Sequence, residues 1–202
     1  MGVGRYVVMD GRGTAVGTEE FRCAPGPAGW RYAASISTSS PDPHAELVDF
    51  VVDSRWRPVR LRIDTGSHHL LASPEGDRLT GIRDGEPMDV PFGPEVELDY
   101  LSPSFNAVTA LRLGRSADID VVYLEPVTCE PVRMRQRYER GEEEAVDTAA
   151  GRFRATRWQY TALGSGWSRP FWLAGDVVVR YEDLFELEEF DPGPSGPFPE
   201  TG

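Results

Sequence analysis

Five arginines at alternating positions of two predicted strands could bind an anionic group. Arg133, Arg135 and Arg137 share one face of the first strand, and Arg152 and Arg154 share a face of the second. Like charges on one face of a sheet repel each other unless something neutralises them. Guanidinium groups bind phosphate, sulfate and carboxylate groups through paired hydrogen bonds, so an anionic head group is one candidate partner.

Acidic residues in the same segment offer a structural alternative to ligand binding. If Arg140-Gly141 and Ala150-Gly151 are tight turns, the strand register predicts three ion pairs: Arg137 with Glu144, Glu144 with Arg157, and Asp147 with Arg154. These pairs would leave Arg133, Arg135 and Arg152 without partners. We therefore take those three arginines as candidate residues for binding the head group of a ligand.

Aromatic residues of this region could form the apolar wall of a small-ligand site. Trp158 and Tyr160 lie on one face of a predicted strand, and Trp167, Phe171 and Trp172 lie on the next strand. Aromatic stripes are part of a core more often than part of a pocket, so a filled interior is the alternative. A curved sheet covered by one short helix nevertheless leaves concave surface free, and such cavities are usual sites for small ligands.

The chain lacks the signatures of common catalytic and metal-binding sites. It contains no phosphate-binding loop, dinucleotide-binding glycine motif, serine-hydrolase elbow or HExxH motif. None of His44, His68 and His69 has a Cys, Asp or Glu at a metal-ligand spacing. Cys23 and Cys129 are isolated cysteines that we expect to be reduced thiols. We assign no catalytic residue, no metal site and no cofactor.

One stretch, residues 99–114, combines a helix start, an apolar face and a helix stop. Ser102 can cap the N-terminus, Pro103 suits the first helical position, and Gly114 offers a left-handed C-cap. Three apolar residues fall on one face of this helix: Phe105, Val108 and Leu111. A helix of about three turns is not stable alone, so we expect it to be buried against a sheet.

Nearly all of the remaining chain has the pattern of short strands separated by turns. Asp84-Gly85, between two strand-like runs, is the clearest hairpin signal. We predict a mainly β fold, a single curved antiparallel sheet or half-barrel of about 11–13 strands with one helix on the concave face. Residues 1–190 are expected to form one domain, followed by a disordered or surface-draped Pro/Gly-rich tail at residues 191–202.

Composition and charge limit the classes of partner. The 202 residues include 33 acidic residues and 21 lysines and arginines, which gives a formal net charge of -12. Affinity for nucleic acid comes largely from clustered cations, so we expect no nucleic-acid partner. No window approaches the length of a membrane-spanning apolar segment, and the first residues do not have the pattern of a signal peptide. We therefore expect no transmembrane segment and a cytoplasmic location.

Several short segments resemble a bacterial glycolipid-binding family and occur in the same order. These segments are residues 17–21 (GTEEF), 99–106 (DYLSPSFN), 111–113 (LRL), 123–126 (YLEP) and 136–138 (QRY). The resemblance implies a curved antiparallel half-barrel, similar to the periplasmic lipoprotein carriers, with a helix on its concave side. It leaves the ligand open, because fold does not determine function.

These observations predict non-enzymatic binding of an amphipathic small molecule, a lipid or glycolipid, in the concave face. Six residues are predicted to contact the apolar part of the ligand: Phe105, Val108, Leu111, Trp158, Tyr160 and Trp172. Arg133, Arg135 and Arg152 are predicted to lie near its head group. Two alternatives remain, an enzyme acting on a small hydrophobic substrate and a structural or interaction protein with a filled cavity.

Overall fold

The computed structural model describes residues 1–26, 28–40 and 43–193, and within them the chain forms fifteen strands and one helix. The strands before the helix are β1 (Gly2–Met9), β2 (Ala15–Gly26), β3 (Gly29–Thr38), β4 (His44–Asp53), β5 (Pro58–Asp64), β6 (His69–Glu75), β7 (Arg78–Arg83), β8 (Glu86–Pro91) and β9 (Val96–Asp99). The helix α1 (Pro103–Leu113) is followed by β10 (Ala117–Leu124), β11 (Pro131–Thr148), β12 (Gly151–Ala162), β13 (Trp167–Ala174), β14 (Val177–Tyr181) and β15 (Phe185–Asp191).

All fifteen strands belong to one sheet, in the order β8-β7-β6-β5-β4-β3-β2-β1-β15-β14-β13-β12-β11-β10-β9. Neighbouring strands are antiparallel except β9 and β10, which are parallel because α1 connects them as a crossover. The predicted class, a mainly β curved sheet with one helix, is confirmed. The strand β9 was not predicted, because its four residues are too few to show an alternating pattern.

The C-terminal boundary predicted at residue 190 falls inside the last strand. Asp191 belongs to β15 and pairs with Val3 of β1. Most of the predicted tail, residues 194–202, lies outside the described residues.

Two turn predictions had opposite outcomes. Asp84 and Gly85 have φ angles of 54° and 85°, as a tight hairpin requires, and they join β7 to β8 as predicted. The predicted turn at Arg140-Gly141 was wrong, because β11 continues through it. The pairing of β11 with β12 shifts between Arg140 and Glu143, where an extra residue forms a β-bulge instead of a turn.

The predicted cross-strand ion pairs were also wrong, because they assumed that turn and a slightly different register. Arg137 instead donates two hydrogen bonds, of 2.6 and 2.9 Å, to Asp118 of β10. Arg154 donates a 2.8 Å hydrogen bond to Glu143. The remaining predicted partners have other contacts. Glu144 accepts a hydrogen bond from the indole of Trp172, and Arg157 donates a hydrogen bond to Gln159. Asp147 of β11 lies directly opposite Arg152 of β12.

The helix α1 fills much of the concave side of the sheet, which we call the inner face. Ser102 occupies the N-cap position and Gly114, with φ of 61°, the C-cap position, as predicted. Phe105 stacks on Phe50 of β4, with ring centroids 4.5 Å apart and planes within 8° of each other. Residues 103–110 are all buried. The helix therefore packs into the apolar core that the sheet encloses.

Candidate ligand-binding site

A cavity of about 300 Å³ remains between the N-terminal end of α1 and the inner face of the C-terminal strands. Aromatic side chains from four strands line most of it: Tyr123 of β10, Tyr160 of β12, Trp167 of β13 and Tyr181 of β14. Asp99, Ser102 and Asn106, at the start of the helix, add polar groups to the wall. A mainly apolar wall with a few convergent polar groups is typical of a small-ligand site.

The aromatic rings of the wall contact one another and so hold their positions. The ring of Tyr160 lies 5.6 Å from that of Trp167 and 6.4 Å from that of Tyr181, measured between centroids. The rings of Trp167 and Tyr181 are 6.5 Å apart. These three side chains form one aromatic group because they alternate inward on adjacent antiparallel strands.

Asp99 is the buried carboxylate of the cavity wall. It ends β9, is 6% exposed, and accepts a 2.6 Å hydrogen bond from Nε2 of Gln136 on β11. Burial raises the pKa of Asp99 to about 6, although the hydrogen bonds from Gln136 and from the backbone N–H of Tyr100 oppose this shift. Asp99 is therefore mostly ionised near neutral pH, and it becomes protonated in mildly acidic solution.

Two amides connect the start of the helix to the strands behind the cavity. Asn106 donates a 2.8 Å hydrogen bond to the hydroxyl of Tyr138, whose ring lies 5.6 Å from that of Tyr160. Gln136, which is 1% exposed, uses its amide N–H to reach Asp99, whereas its Oε1 has no hydrogen-bond partner among the described residues. Such an unpaired buried acceptor is uncommon and costly.

A second buried carboxylate, Glu19 of β2, lies behind the wall. Ser102, which was predicted to cap the helix, donates its hydroxyl to Glu19 Oε1 at 2.8 Å and makes no side-chain cap. The hydroxyl of Tyr32 donates to the same oxygen at 2.6 Å. Burial raises the pKa of Glu19 to about 7, helped by the nearby charge of Glu46 and opposed by both hydroxyl hydrogen bonds.

His44 and Glu46 form a hydrogen-bonded histidine–carboxylate pair of the kind that many enzymes use, but this pair lies outside the cavity. Nε2 of His44 lies 2.7 Å from Oε1 of Glu46, whose other oxygen accepts a hydrogen bond from the hydroxyl of Tyr100. Tyr100 borders the cavity, whereas His44 and Glu46 do not line it. Among the described residues, no group of three or more His, Cys, Asp or Glu side chains could hold a metal ion.

The nine residues predicted to contact a ligand do not form one site. Tyr160 lines the cavity, Phe105, Val108 and Trp158 are packed in the core, and Leu111 is half-buried at its edge. The other four lie on the outer face of the sheet: Arg133, Arg135, Arg152 and Trp172. The sheet therefore separates the predicted head-group residues from the cavity.

The outer-face residues have neighbours of their own. Nε of Arg135 lies 3.8 Å from Oδ1 of Asp120, and Nε of Arg152 lies 3.9 Å from Oδ1 of Asp147. Trp172 packs beneath the guanidinium of Arg157, 5.9 Å from the ring centroid. A role for these residues in ligand binding stays a prediction.

Most residues of the cavity wall were missed as site residues, although one signal pointed to them. Asp99, Ser102, Asn106 and Tyr123 lie in the short segments that carry the family resemblance. Gln136, which does not line the cavity but donates a hydrogen bond to Asp99, lies in another of these segments. The fold brings these segments together at the start of α1. Gln136 had a further signal, because it is a polar residue between Met134 and Tyr138 on the inward face of its strand.

Two solved structures have a similar fold. A DUF1089 family protein from Pseudomonas aeruginosa superimposes with a TM-score of 0.61 at 20% sequence identity, covering 83% of this chain and 91% of that one. A beta-barrel-like protein of a domain of unknown function, DUF1849, from Brucella abortus gives a TM-score of 0.55 at 10% identity, covering 94% and 96% of the two chains. No protein-family profile and no curated protein matches the chain. At these identities the likeness establishes a barrel-like fold.

Proposed function

We propose that this protein binds an amphipathic small molecule, a lipid or glycolipid, in the cavity at the start of α1, without chemical conversion. The observation that carries the proposal is an aromatic cavity whose wall also contains a buried carboxylate, that of Asp99. A purely structural core would close such a space, because empty volume forfeits packing energy.

The size of the cavity limits what part of a ligand it holds. At about 300 Å³ it is at the small end of ligand sites and suits a head group or the end of a chain, not a complete two-chain lipid. Leu101 and Trp167, which are 43% and 36% exposed, lie at the cavity and could cover the portion of the ligand that extends outward. Burial of apolar area contributes about 25 cal/mol per Å² before ordering costs are subtracted.

The polar groups of the wall favour a ligand that also forms hydrogen bonds. The hydroxyls of Tyr123, Tyr160 and Tyr181 make no hydrogen bond to another described residue. A tyrosine hydroxyl can both donate and accept. These hydroxyls and Asp99 would orient the polar part of the ligand against the rings, which favours an amphipathic molecule over a pure hydrocarbon.

The test is calorimetric titration with n-octyl-β-D-glucoside below its micelle concentration. We expect saturable binding to the wild type, and affinity reduced at least about fivefold in Tyr160→Ala, since an aromatic contact contributes roughly 1 kcal/mol beyond its buried area. Trp172→Ala, a matched aromatic truncation on the outer face, should bind like the wild type. Equal losses in the two variants, with both still folded by circular dichroism, would place binding elsewhere and contradict the proposal.

A further inference from the structure

We propose that the head group held in this cavity is an organic ammonium, which donates hydrogen bonds to Asp99 while the aromatic rings surround it. This inference rests on the proposed function, because it names the chemistry of a ligand bound at the same site. Three observations support it: a buried carboxylate without a counter-charge, tyrosine hydroxyls in the wall that can accept hydrogen bonds, and the aromatic lining.

Within the described part of the chain, the carboxylate of Asp99 has no cationic partner. Its side-chain hydrogen bond comes from the neutral amide of Gln136, and no Lys, Arg or His lines the cavity. A buried charge without a counter-charge is costly, and it is usually paired. A ligand that carries a positive charge would supply the missing partner.

The second observation is the set of tyrosine hydroxyls in the wall. The hydroxyls of Tyr123, Tyr160 and Tyr181 make no hydrogen bond to another described residue, so they can accept one from a ligand. A primary ammonium has three N–H donors and no acceptor. It can therefore bind the carboxylate of Asp99 and still offer donors to these hydroxyls.

The third observation is the aromatic lining of the cavity that contains the carboxylate. Tyr123, Tyr160, Trp167 and Tyr181 line the cavity with Asp99. Cations are attracted to aromatic faces within about 6 Å, and most strongly where water is excluded. The ring of Trp167 already accepts a cation, since the guanidinium carbon of Arg169 lies 5.5 Å from its centroid.

Arg169 does not balance the charge of Asp99. Its guanidinium pairs with Asp183, with an N–O distance of 3.4 Å, and it is not part of the cavity wall. The nitrogen at this distance is Nε, so the charge of Arg169 is balanced by Asp183. Among the described residues, the cavity wall therefore carries the negative charge of Asp99 and no positive charge.

Other head groups fit this charge less well. An anionic group would lie against Asp99, whereas Arg133, Arg135 and Arg152 are on the outer face and Arg169 pairs with Asp183. A neutral sugar could bond to the tyrosine hydroxyls but would leave the buried carboxylate unbalanced. The ammonium could be carried by a long-chain amine or by an amino sugar, since the two share the same donor chemistry.

The experiment compares three ligands with the same chain: n-octylammonium, n-octyl-β-D-glucoside and n-octanoate. At neutral pH and physiological salt we expect the wild type to bind n-octylammonium at least about tenfold more tightly than the glucoside, and n-octanoate most weakly. Asp99→Asn should abolish the preference for the ammonium. Asp120→Asn removes an exposed carboxylate on the outer face and should retain the wild-type order, which controls for the overall negative charge.

The outcomes separate this inference from the proposed function. If the wild type binds the glucoside as tightly as the ammonium, or if Asp99→Asn keeps the preference, the ammonium assignment is overturned while ligand binding stands. If none of the three ligands binds, the proposed function fails as well. If Asp99→Asn does not fold, the order of the wild-type affinities for the three ligands decides whether the ammonium assignment holds. The octyl glycoside of glucosamine, compared with n-octylammonium, then distinguishes an amino sugar from a simple amine.

Discussion

Nε2 of Gln136 donates a hydrogen bond of 2.6 Å to Oδ2 of Asp99. Gln136 lies on β11 and Asp99 at the end of β9, so the bond crosses the intervening strand β10. Asp99 also ends the segment that leads into α1. One hydrogen bond thus fixes the carboxylate at the point where sheet, helix and cavity meet.

The first prediction concerns the pH dependence of ligand affinity. The pKa of Asp99 is raised to about 6, and only its ionised form can pair with a cation. Affinity for n-octylammonium should therefore fall as the pH drops below about 6, approaching about tenfold per pH unit. The groups that face Asp99 from β10, β11, β12 and β14 do not titrate there, because burial raises the pKa of each above its usual value: Tyr123, Tyr138, Tyr160 and Tyr181.

Titration calorimetry across this range, with Asp99→Asn as the comparison, provides the measurement. The variant should show no corresponding loss of affinity in acid. The prediction is wrong if wild-type affinity stays constant through the expected pKa of Asp99.

The second prediction concerns stability and Glu19. Its pKa rises from 4.5 to about 7 on folding, so the folded state holds the proton more tightly than the unfolded state. This stabilisation is fully present below about pH 4.5 and is lost as the pH rises through about 7. The loss is on the order of 3 kcal/mol of unfolding free energy. Glu19→Gln cannot ionise and keeps an oxygen to accept hydrogen bonds from Tyr32 and Ser102.

Urea unfolding of the wild type and of Glu19→Gln, in acidic and in mildly alkaline buffer, measures this effect. The variant should gain stability relative to the wild type as the pH rises. Parallel stability curves for the two proteins would show that Glu19 is not the responsible group.

The third prediction concerns the outer-face arginines. Arg135 is 65% exposed, lies 3.8 Å from Asp120, and is separated from the cavity by the sheet. Exposed pairs of this kind contribute at most about 1 kcal/mol. Arg135→Ala should therefore leave the affinities for n-octyl-β-D-glucoside and n-octanoate within about twofold of wild type. A selective loss of n-octanoate binding in calorimetry would instead restore the head-group role predicted from the sequence.

Local sequence signals were sufficient for the helix and for much of the sheet. Pro103 and Gly114 predicted both ends of α1, because the conformational preferences of these residue types act within a few residues. Alternation of apolar residues likewise indicated strands. The bulge between Arg140 and Glu143 could not be read this way, since a register shift depends on the partner strand.

The site was harder to predict because it depends on contacts between distant segments. Ser102 meets Glu19 across 83 residues of sequence, and Gln136 meets Asp99 across 37. Alternation also cannot say which inward residues pack tightly and which leave a space. Trp158 and Tyr160 have the same pattern in the sequence, yet only Tyr160 borders the cavity.

The most direct test of ligand binding is native mass spectrometry of the purified protein and of a variant with its cavity filled. Ala162 lines the cavity, so Ala162→Trp should occupy it, whereas Thr161→Trp places the same side chain on the opposite face of β12. We predict that the wild type and Thr161→Trp carry a co-purifying small molecule and that folded Ala162→Trp does not. An adduct that persists in Ala162→Trp, or a wild type without any adduct in repeated preparations, would contradict the account.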